Sequence, residues 1–322
     1  MTEEEVIEIV QQVASLVETK YVFPAVGTAV SRILTGAVAA GRYPADARSL
    51  AAAVTADLQS VNGDKHLRLL YHDDAQPPRE PGDDQEEYAA LARWADQTCG
   101  GVAHVQRLAG NVGYLDLQPV IFPSAITGDL IAAAMSVIAG TEAMIVDLRS
   151  CLGGEPSGVC LIVSYLWDRE PVQLTGFRER AALRQAWTLP YVAGRRFGQA
   201  KPVYVLTSST TFSGGEQLSY DLQQLGRATI VGEQTRGGAH AREGFVVHPH
   251  LEATISVAEG VNPSSGGNWE GTGVTPDVPT TAEQALDTAH RRALADVIAG
   301  GGTSAAEAEA ALAGLPVRTI QV

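Results

Sequence analysis

Four short stretches of the chain carry residue types able to do nucleophilic chemistry. In YVLTSSTTFSGGEQLSYDLQQLGRATIVG (204–232) an apolar strand ends near Thr207, a polar stretch follows, and Ser213-Gly214-Gly215-Glu216 opens a helix. A serine there lies beside unpaired backbone N–H groups and the positive end of the helix dipole. The same N–H groups can hold an oxyanion, and the glycines let a substrate approach the backbone. An ordinary serine N-cap followed by a glycine-rich turn fits the same residues. In AMIVDLRSCLGGEPSG (143–158) a second apolar strand ends in Asp147-Leu148-Arg149, and Gly153-Gly154 precedes another helix. Its amides could supply a second oxyanion donor, or the segment is a plain βα turn. In WEGTGVTPDV (269–278), Glu270 sits in a glycine-rich bend that suits either function or a solvated turn. Finally, Asp64-Lys65-His66-Leu67 places one of seven histidines where a helical region meets a strand. A serine hydroxyl needs a neighbouring base, imidazole titrates near neutral pH, and a third group commonly orients the base. A lone histidine is as readily structural. Neither GxGxxG nor a P-loop pattern follows any strand.

The elements that must position these residues fall into two classes. Residues 3–60 predict three helices. Val6, Ile9, Val10, Val13, Leu16 and Val17 recur at helical spacing, Thr2 and Glu5 fit a capping box, and Pro24 can open the second helix. Residues 66–72 read as a strand, AQPPREPGDDQEE (75–87) as a linker or exposed loop, and 86–99 as a further helix. From Val112 the pattern changes to short apolar strands alternating with helices: VGYLDL, a helix near 126–139, AMIVDL, a helix near 157–167, PVYVLT, a helix from about 214 to 225, and ATIVGE. That alternation implies βα units and a largely parallel sheet. Residues 244–258 read as strands and 281–298 as a helix, followed by an alanine-rich C-terminal helix and a short tail. The expected organisation is a helical domain over 1–65, a strand, linker and connecting helix over 66–110, an α/β catalytic domain over 111–300, and a terminal helix and tail over 301–322.

Composition narrows the function. The net charge of −14 makes the surface repel phosphate backbones, so neither nucleic acid nor an anionic membrane is an expected partner. The 45% apolar and 19% charged content is that of a globular protein. No leader-like segment follows Met1, which makes a cytoplasmic location the expectation. Cys99, Cys151 and Cys160 show neither paired nor zinc-type spacing and read as buried thiols. No metal or organic cofactor is called for.

Taken together, GDKHL, GNVGYLDL (110–117), IVDLRSCLGG (145–154), TSSTTFSGGE (207–216), VGEQTRGGAH (231–240) and NWEGTGVTPDV (268–278) resemble, in order, the C-terminal-processing or tail-specific serine peptidase family. The branch resembled is that of the tricorn core protease and the interphotoreceptor retinoid-binding protein repeats. The resemblance spans about residues 5–300. It implies a crotonase/ClpP-like spiral of ββα units after the helical domain, an α/β (α+β) fold overall. By resemblance Ser213 matches the nucleophile, and the amides of Gly214 and of Gly153 or Gly154 match the oxyanion hole. The processing branch draws a lysine base from the segment after VGE, which here reads QTRGGAH and holds none; Arg236 cannot replace it, being always charged. The tricorn-like arrangement implies His66 as base and Glu270 as its assistant. Lys65 departs from that branch, which has a serine before the histidine. His240 is an alternative base. No PDZ segment fits between residues 72 and 110. The resemblance implies a peptide substrate, and through tricorn a homo-oligomer.

Two other readings compete. One is a non-catalytic carrier of a hydrophobic, retinoid- or lipid-like ligand on the same scaffold. The other is an α/β-hydrolase esterase, which needs G-x-S-x-G; Thr211 stands at the first glycine position, so the strained elbow of that motif is not expected.

Overall fold

The computed structural model describes residues 1–76 and 84–314. The linker expected at 75–87 lies in part, and the short tail after the last helix wholly, outside the described residues. The chain forms two compact units. Unit 1 comprises Met1–Glu87, Thr175–Gln185 and Gly238–Gly271; unit 2 comprises Tyr88–Leu174, Ala186–Gly237 and Thr272–Val322.

Unit 1 opens with the three expected helices, α1 (Glu3–Lys20), α2 (Pro24–Ala39) and α3 (Ala47–Gln59). The Thr2 hydroxyl accepts from Glu5 N at 3.2 Å and the Glu5 carboxylate accepts from Thr2 N at 2.6 Å, closing the capping box on α1. Pro24 is the first residue of α2, and Asp46 caps α3 through Ser49 N at 2.8 Å. Val10, Val13, Val17, Leu34, Leu50, Val54 and Leu58 are wholly buried and pack with Leu67, Leu251, Ala253 and Ile255. Each such side chain contributes roughly 1.5–3 kcal/mol of hydrophobic stabilisation. The strand residues of that core come from β1 (Arg68–Tyr71) and from the hairpin of β9 (His240–His248) and β10 (Leu251–Val261). β10 pairs antiparallel with β1, β9 and β5 (Gln173–Arg178), and β6 (Leu183–Trp187) follows β5 in the same sheet. Residues 238–271, which the sequence reading placed in the catalytic segment 111–300, therefore complete the sheet of unit 1.

Unit 2 begins within α4 (Asp84–Gln97) and continues through β2 (Val102–Leu108), β3 (Val112–Leu117), α5 (Ser124–Ile138), β4 (Ala143–Asp147) and α6 (Pro156–Leu166). After the β5–β6 hairpin come β7 (Val203–Thr207), α7 (Gly214–Gln224), β8 (Thr229–Gly232), β11 (Val278–Pro279), α8 (Ala282–Gly300) and α9 (Ala305–Gly314). The sheet order is β11-β8-β7-β4-β3-β2, parallel except for the β2–β3 pair. Period-two alternation divides its side chains. Leu115, Met144, Val146, Val205 and Ile230 share a core with α5, α6 and α7. Tyr114, Ile145, Tyr204, Leu206 and Val231 share another with α8 and α9. This is the expected mixed α/β architecture, with a helical N-terminal part ahead of a largely parallel sheet.

The expectation of three buried thiols needs correcting. Cys99 is exposed at a turn where its backbone is left-handed (φ 51°), and Cys160 is half-buried; only Cys151 is a buried thiol. Residues 102–108, not assigned from the sequence, form an edge strand whose side chains are exposed or half-buried, so no apolar alternation marks it. Among the described residues, no helix is long and apolar enough to cross a membrane.

Candidate active site

In unit 2 the loops after β4 and β7 lie against each other. Ser208 Oγ and Thr210 Oγ1 donate to the Arg149 carbonyl at 2.6 and 2.9 Å, Thr211 Oγ1 donates to Leu148 O at 2.8 Å, and Phe212 N donates to Cys151 O at 3.1 Å. The loop carrying Gly153-Gly154 is thereby fastened to the loop carrying Ser213. Close approach finishes the fit. A Cβ on Gly214 would lie 2.6 Å from Gly154 O and 2.7 Å from Gly154 N, and a Cβ on Gly153 would lie 3.5 Å from Ser213 Cβ. Gly153 and Gly154 hold φ values of 150° and 145°. Among the described residues, none of the turn and loop hydrogen bonds between backbone groups has the N–H of Gly153, Gly154 or Gly214 as donor. Amides so placed could donate to an oxyanion.

Ser213 itself holds φ 48° and ψ −113°. An ordinary N-cap serine has an extended backbone with negative φ; Ser213 forms the capping box with Glu216 but holds a backbone conformation that an ordinary cap does not need. The positive φ sits at Ser213 although Thr211, not glycine, stands two residues before it. The Thr211 hydroxyl accepts from Ser208 N at 3.0 Å as well as donating to Leu148 O, which holds the turn from its start. From the other side the wholly buried Glu216 accepts from Ser213 N at 2.9 Å through Oε2. Its Oε1 accepts from Thr235 Oγ1 at 2.5 Å and Gly237 N at 2.6 Å. Sequence reasoning did not single out Glu216, although Ser-x-x-Glu is the capping-box signature. A polar cavity of about 530 Å³ lies at the carboxyl ends of β3, β4 and β7, lined among others by Asp116, Asp147, Arg149, Ser208 and Glu233.

Unit 1 gathers the other candidates. His66, Glu270 and Asp64 each bring one donor atom to within 4.8 Å of the others. Asp64 is the anchor that sequence reasoning passed over. It is wholly buried, and its carboxylate accepts from Tyr21 Oη at 2.9 Å and from His66 N at 2.9 Å, and pairs with His240 Nδ1 at 2.8 Å. Asn62 Nδ2 donates to Tyr21 Oη at 2.7 Å, extending the network. His66 O accepts from Thr254 Oγ1 at 2.6 Å, which ties the histidine to β10. Glu270 Oε2 accepts from Ala239 N at 2.6 Å and lies 3.7 Å from His240 Nδ1, while Phe23 packs edge-on against the His240 ring at 5.4 Å. Trp269 Nε1 donates to Gly238 O at 2.8 Å and holds the Glu270 turn against the start of β9.

The electrostatics follow from burial and pairing. Burial would raise the Asp64 pKa, but the hydrogen bond and charge of His240 outweigh it and hold the carboxyl at about 2. Burial works against a charged His240, yet the Asp64 hydrogen bond and charge, with Glu270 beyond, raise its pKa. Glu270 is raised chiefly by burial, against the pull of His240 and the Ala239 amide.

Of the sequence candidates, then, Ser213, Gly214, Gly153 and Gly154 come together in unit 2, and His66, Glu270 and His240 come together in unit 1 around Asp64.

The comparisons bear on the fold and the family. The N-terminal domain of Peptidase_S41 in eukaryotic IRBP matches residues 2–98. The photosystem II D1 C-terminal processing protease superposes with a TM-score of 0.52 at 16% identity, over 88% of this chain and 94% of that one. A lipoprotein from Streptococcus agalactiae gives 0.59 at 14% identity, over 88% and 94%. The tricorn protease gives 0.54 at 15% identity, over 89% of this chain and 35% of that one. At these identities the likeness is one of fold. The profile of Peptidase family S41 matches residues 111–280, more than half of the chain, and the chain belongs to that family.

Proposed function

We propose that the chain is a serine peptidase acting on small or unfolded peptides, with Ser213 as nucleophile. The observation that carries this reading is the positive-φ backbone of Ser213 at the start of α7, with Gly153 against its side chain. Strain of this kind costs on the order of 1–3 kcal/mol and persists where surrounding structure enforces it, most often at functional sites.

In this reading Ser213 Oγ attacks the scissile carbonyl while His66 takes its proton. The carbonyl oxygen becomes an oxyanion that accepts from the Gly214 amide and from that of Gly153 or Gly154. His66 then returns the proton to the leaving amine, and water, activated by the same imidazole, releases the acyl group. Glu270 stabilises the imidazolium. His240, held by Asp64, is the competing candidate for base. Support for His66 comes from its match to the tricorn-like pattern and from its placement near the Glu270 carboxylate.

The test is labelling by a fluorophosphonate probe. The parent protein labels and Ser213→Ala does not. Equal labelling of the two assigns the nucleophile elsewhere, and absence of labelling in both favours a binding protein.

A further inference from the structure

The Asp64–His66–Glu270 cluster offers more than proton transfer. We infer that these three side chains form a zinc site, and that an ion bound there blocks the proton-transfer role proposed for His66. The blocking half of this inference rests on the function proposed above; the metal site itself does not.

Four observations support it. First, one imidazole and two carboxylates converge with donor atoms within 4.8 Å of one another. Imidazole nitrogen and carboxylate oxygen are both zinc ligand types, and three protein ligands leave one position of the tetrahedron open. Calcium and magnesium require six or more oxygens instead, or retain several waters. Second, Glu270 Oε1 is buried and makes no hydrogen bond, whereas Oε2 is held by the Ala239 amide at 2.6 Å. A buried carboxylate oxygen without a donor is costly unless a cation or a ligand satisfies it. Third, the supporting shell is already built. Tyr21 Oη and His240 Nδ1 fix Asp64 at 2.9 and 2.8 Å, and such outer partners set the orientation of ligating groups. Fourth, the charge matches: Asp64 and Glu270 balance a divalent ion when His66 and the neighbouring His240 are both neutral. Zinc–ligand distances of about 2.0–2.2 Å require the widest donor pair to close by roughly 1.5 Å. Glu270 can supply that movement, since its side chain is still 18% exposed and one of its oxygens is unbonded.

The experiment is a Co²⁺ titration of the full-length Ser213→Ala protein, read by the visible absorption of the bound ion, with Zn²⁺ added afterwards as competitor. The expected result is saturable absorption that Zn²⁺ abolishes, with affinity reduced at least about tenfold by His66→Ala and by Glu270→Gln. Near-UV circular dichroism establishes that each variant is folded; Glu270→Gln, isosteric, keeps the test decisive if His66→Ala misfolds. In the parent protein, Zn²⁺ inhibits peptide cleavage and EDTA restores it. Absence of saturable binding, or binding that neither variant weakens, overturns the site. Binding without inhibition overturns the blocking role. If instead Ser213→Ala labels as the parent does, the peptidase reading falls while the cobalt spectrum still decides the metal site.

Discussion

Glu216 Oε2 accepts the backbone N–H of Ser213 at 2.9 Å, so the carboxylate at the third position of α7 holds the residue that precedes the helix. The same side chain binds Thr235 and Gly237, and one buried group thus sets both the turn before the helix and the loop after β8. Replacing it by glutamine leaves an N–H donor facing other donors. Glu216→Gln is expected to cost about 2–3 kcal/mol of stability, the range for an unsatisfied buried polar group next to lost charge-assisted bonds. It should also abolish fluorophosphonate labelling. Denaturant titration beside the labelling assay checks both; an unchanged midpoint removes Glu216 from this role.

The strain at Ser213 predicts an unusual pair of variants. Its φ and ψ of 48° and −113° suit glycine and disfavour any residue with a Cβ. Ser213→Gly should be more stable than Ser213→Ala by about 1 kcal/mol, although both are inactive. Thermal unfolding of the two proteins measures the difference, and equal stabilities would mean that the turn is relaxed.

Gly214 has no room for a side chain beside Gly154. Gly214→Ala pushes the two loops apart and misplaces one oxyanion donor. The expected loss in kcat is about 10²–10³, typical for removing one such donor, with KM little changed. Steady-state kinetics on a peptide substrate decides; a loss confined to KM would point to binding instead.

For the base, His66→Ala is expected to abolish peptide cleavage and His240→Ala only to weaken it. The reverse outcome reassigns the proton transfer to His240.

The Asp64–His240 pair makes a pH prediction. Because the folded pKa of His240 is raised, its stabilising contribution is complete below the unfolded value of about 6.5 and fades as pH climbs through the folded value. Asp64 behaves oppositely: its contribution is present above about 3.9 and is lost as pH falls toward about 2. NMR titration should therefore place the His240 imidazole above 6.5 in the parent and lower in Asp64→Asn, where burial acts without the carboxylate. A His240 pKa that is identical in both proteins would disprove the coupling.

Periodicity made the helical part legible. Val6 to Val17 and the Thr2–Glu5 box predict α1, and alternation from Val112 onward predicts the parallel sheet. Ser213 and the two glycine pairs could be read from their places at strand ends and helix starts. What escaped is what depends on distant partners. Asp64 meets His240 across 176 residues, and nothing local to GDKHL announces an anchor for an imidazole so far along the chain. Glu216 was readable in principle from Ser-x-x-Glu, but its hydrogen bonds to Thr235 and Gly237 belong to the packed state. β2 escaped for another reason: an edge strand whose side chains are exposed or half-buried, with none fully buried, carries no period-two pattern to detect.

The antiparallel pairing of Leu69 with Ala253 orders events during synthesis. By the time the ribosome has released the first three helices, their apolar faces still lack the β-hairpin that is translated about 180 residues afterwards. The newborn N-terminal segment must therefore wait, partly uncovered, and a ribosome that stalls before codon 240 delivers a chain whose Asp64 has no imidazole to pair with. Truncated products thus carry an uncovered apolar helical face and an Asp64 without its His240 partner.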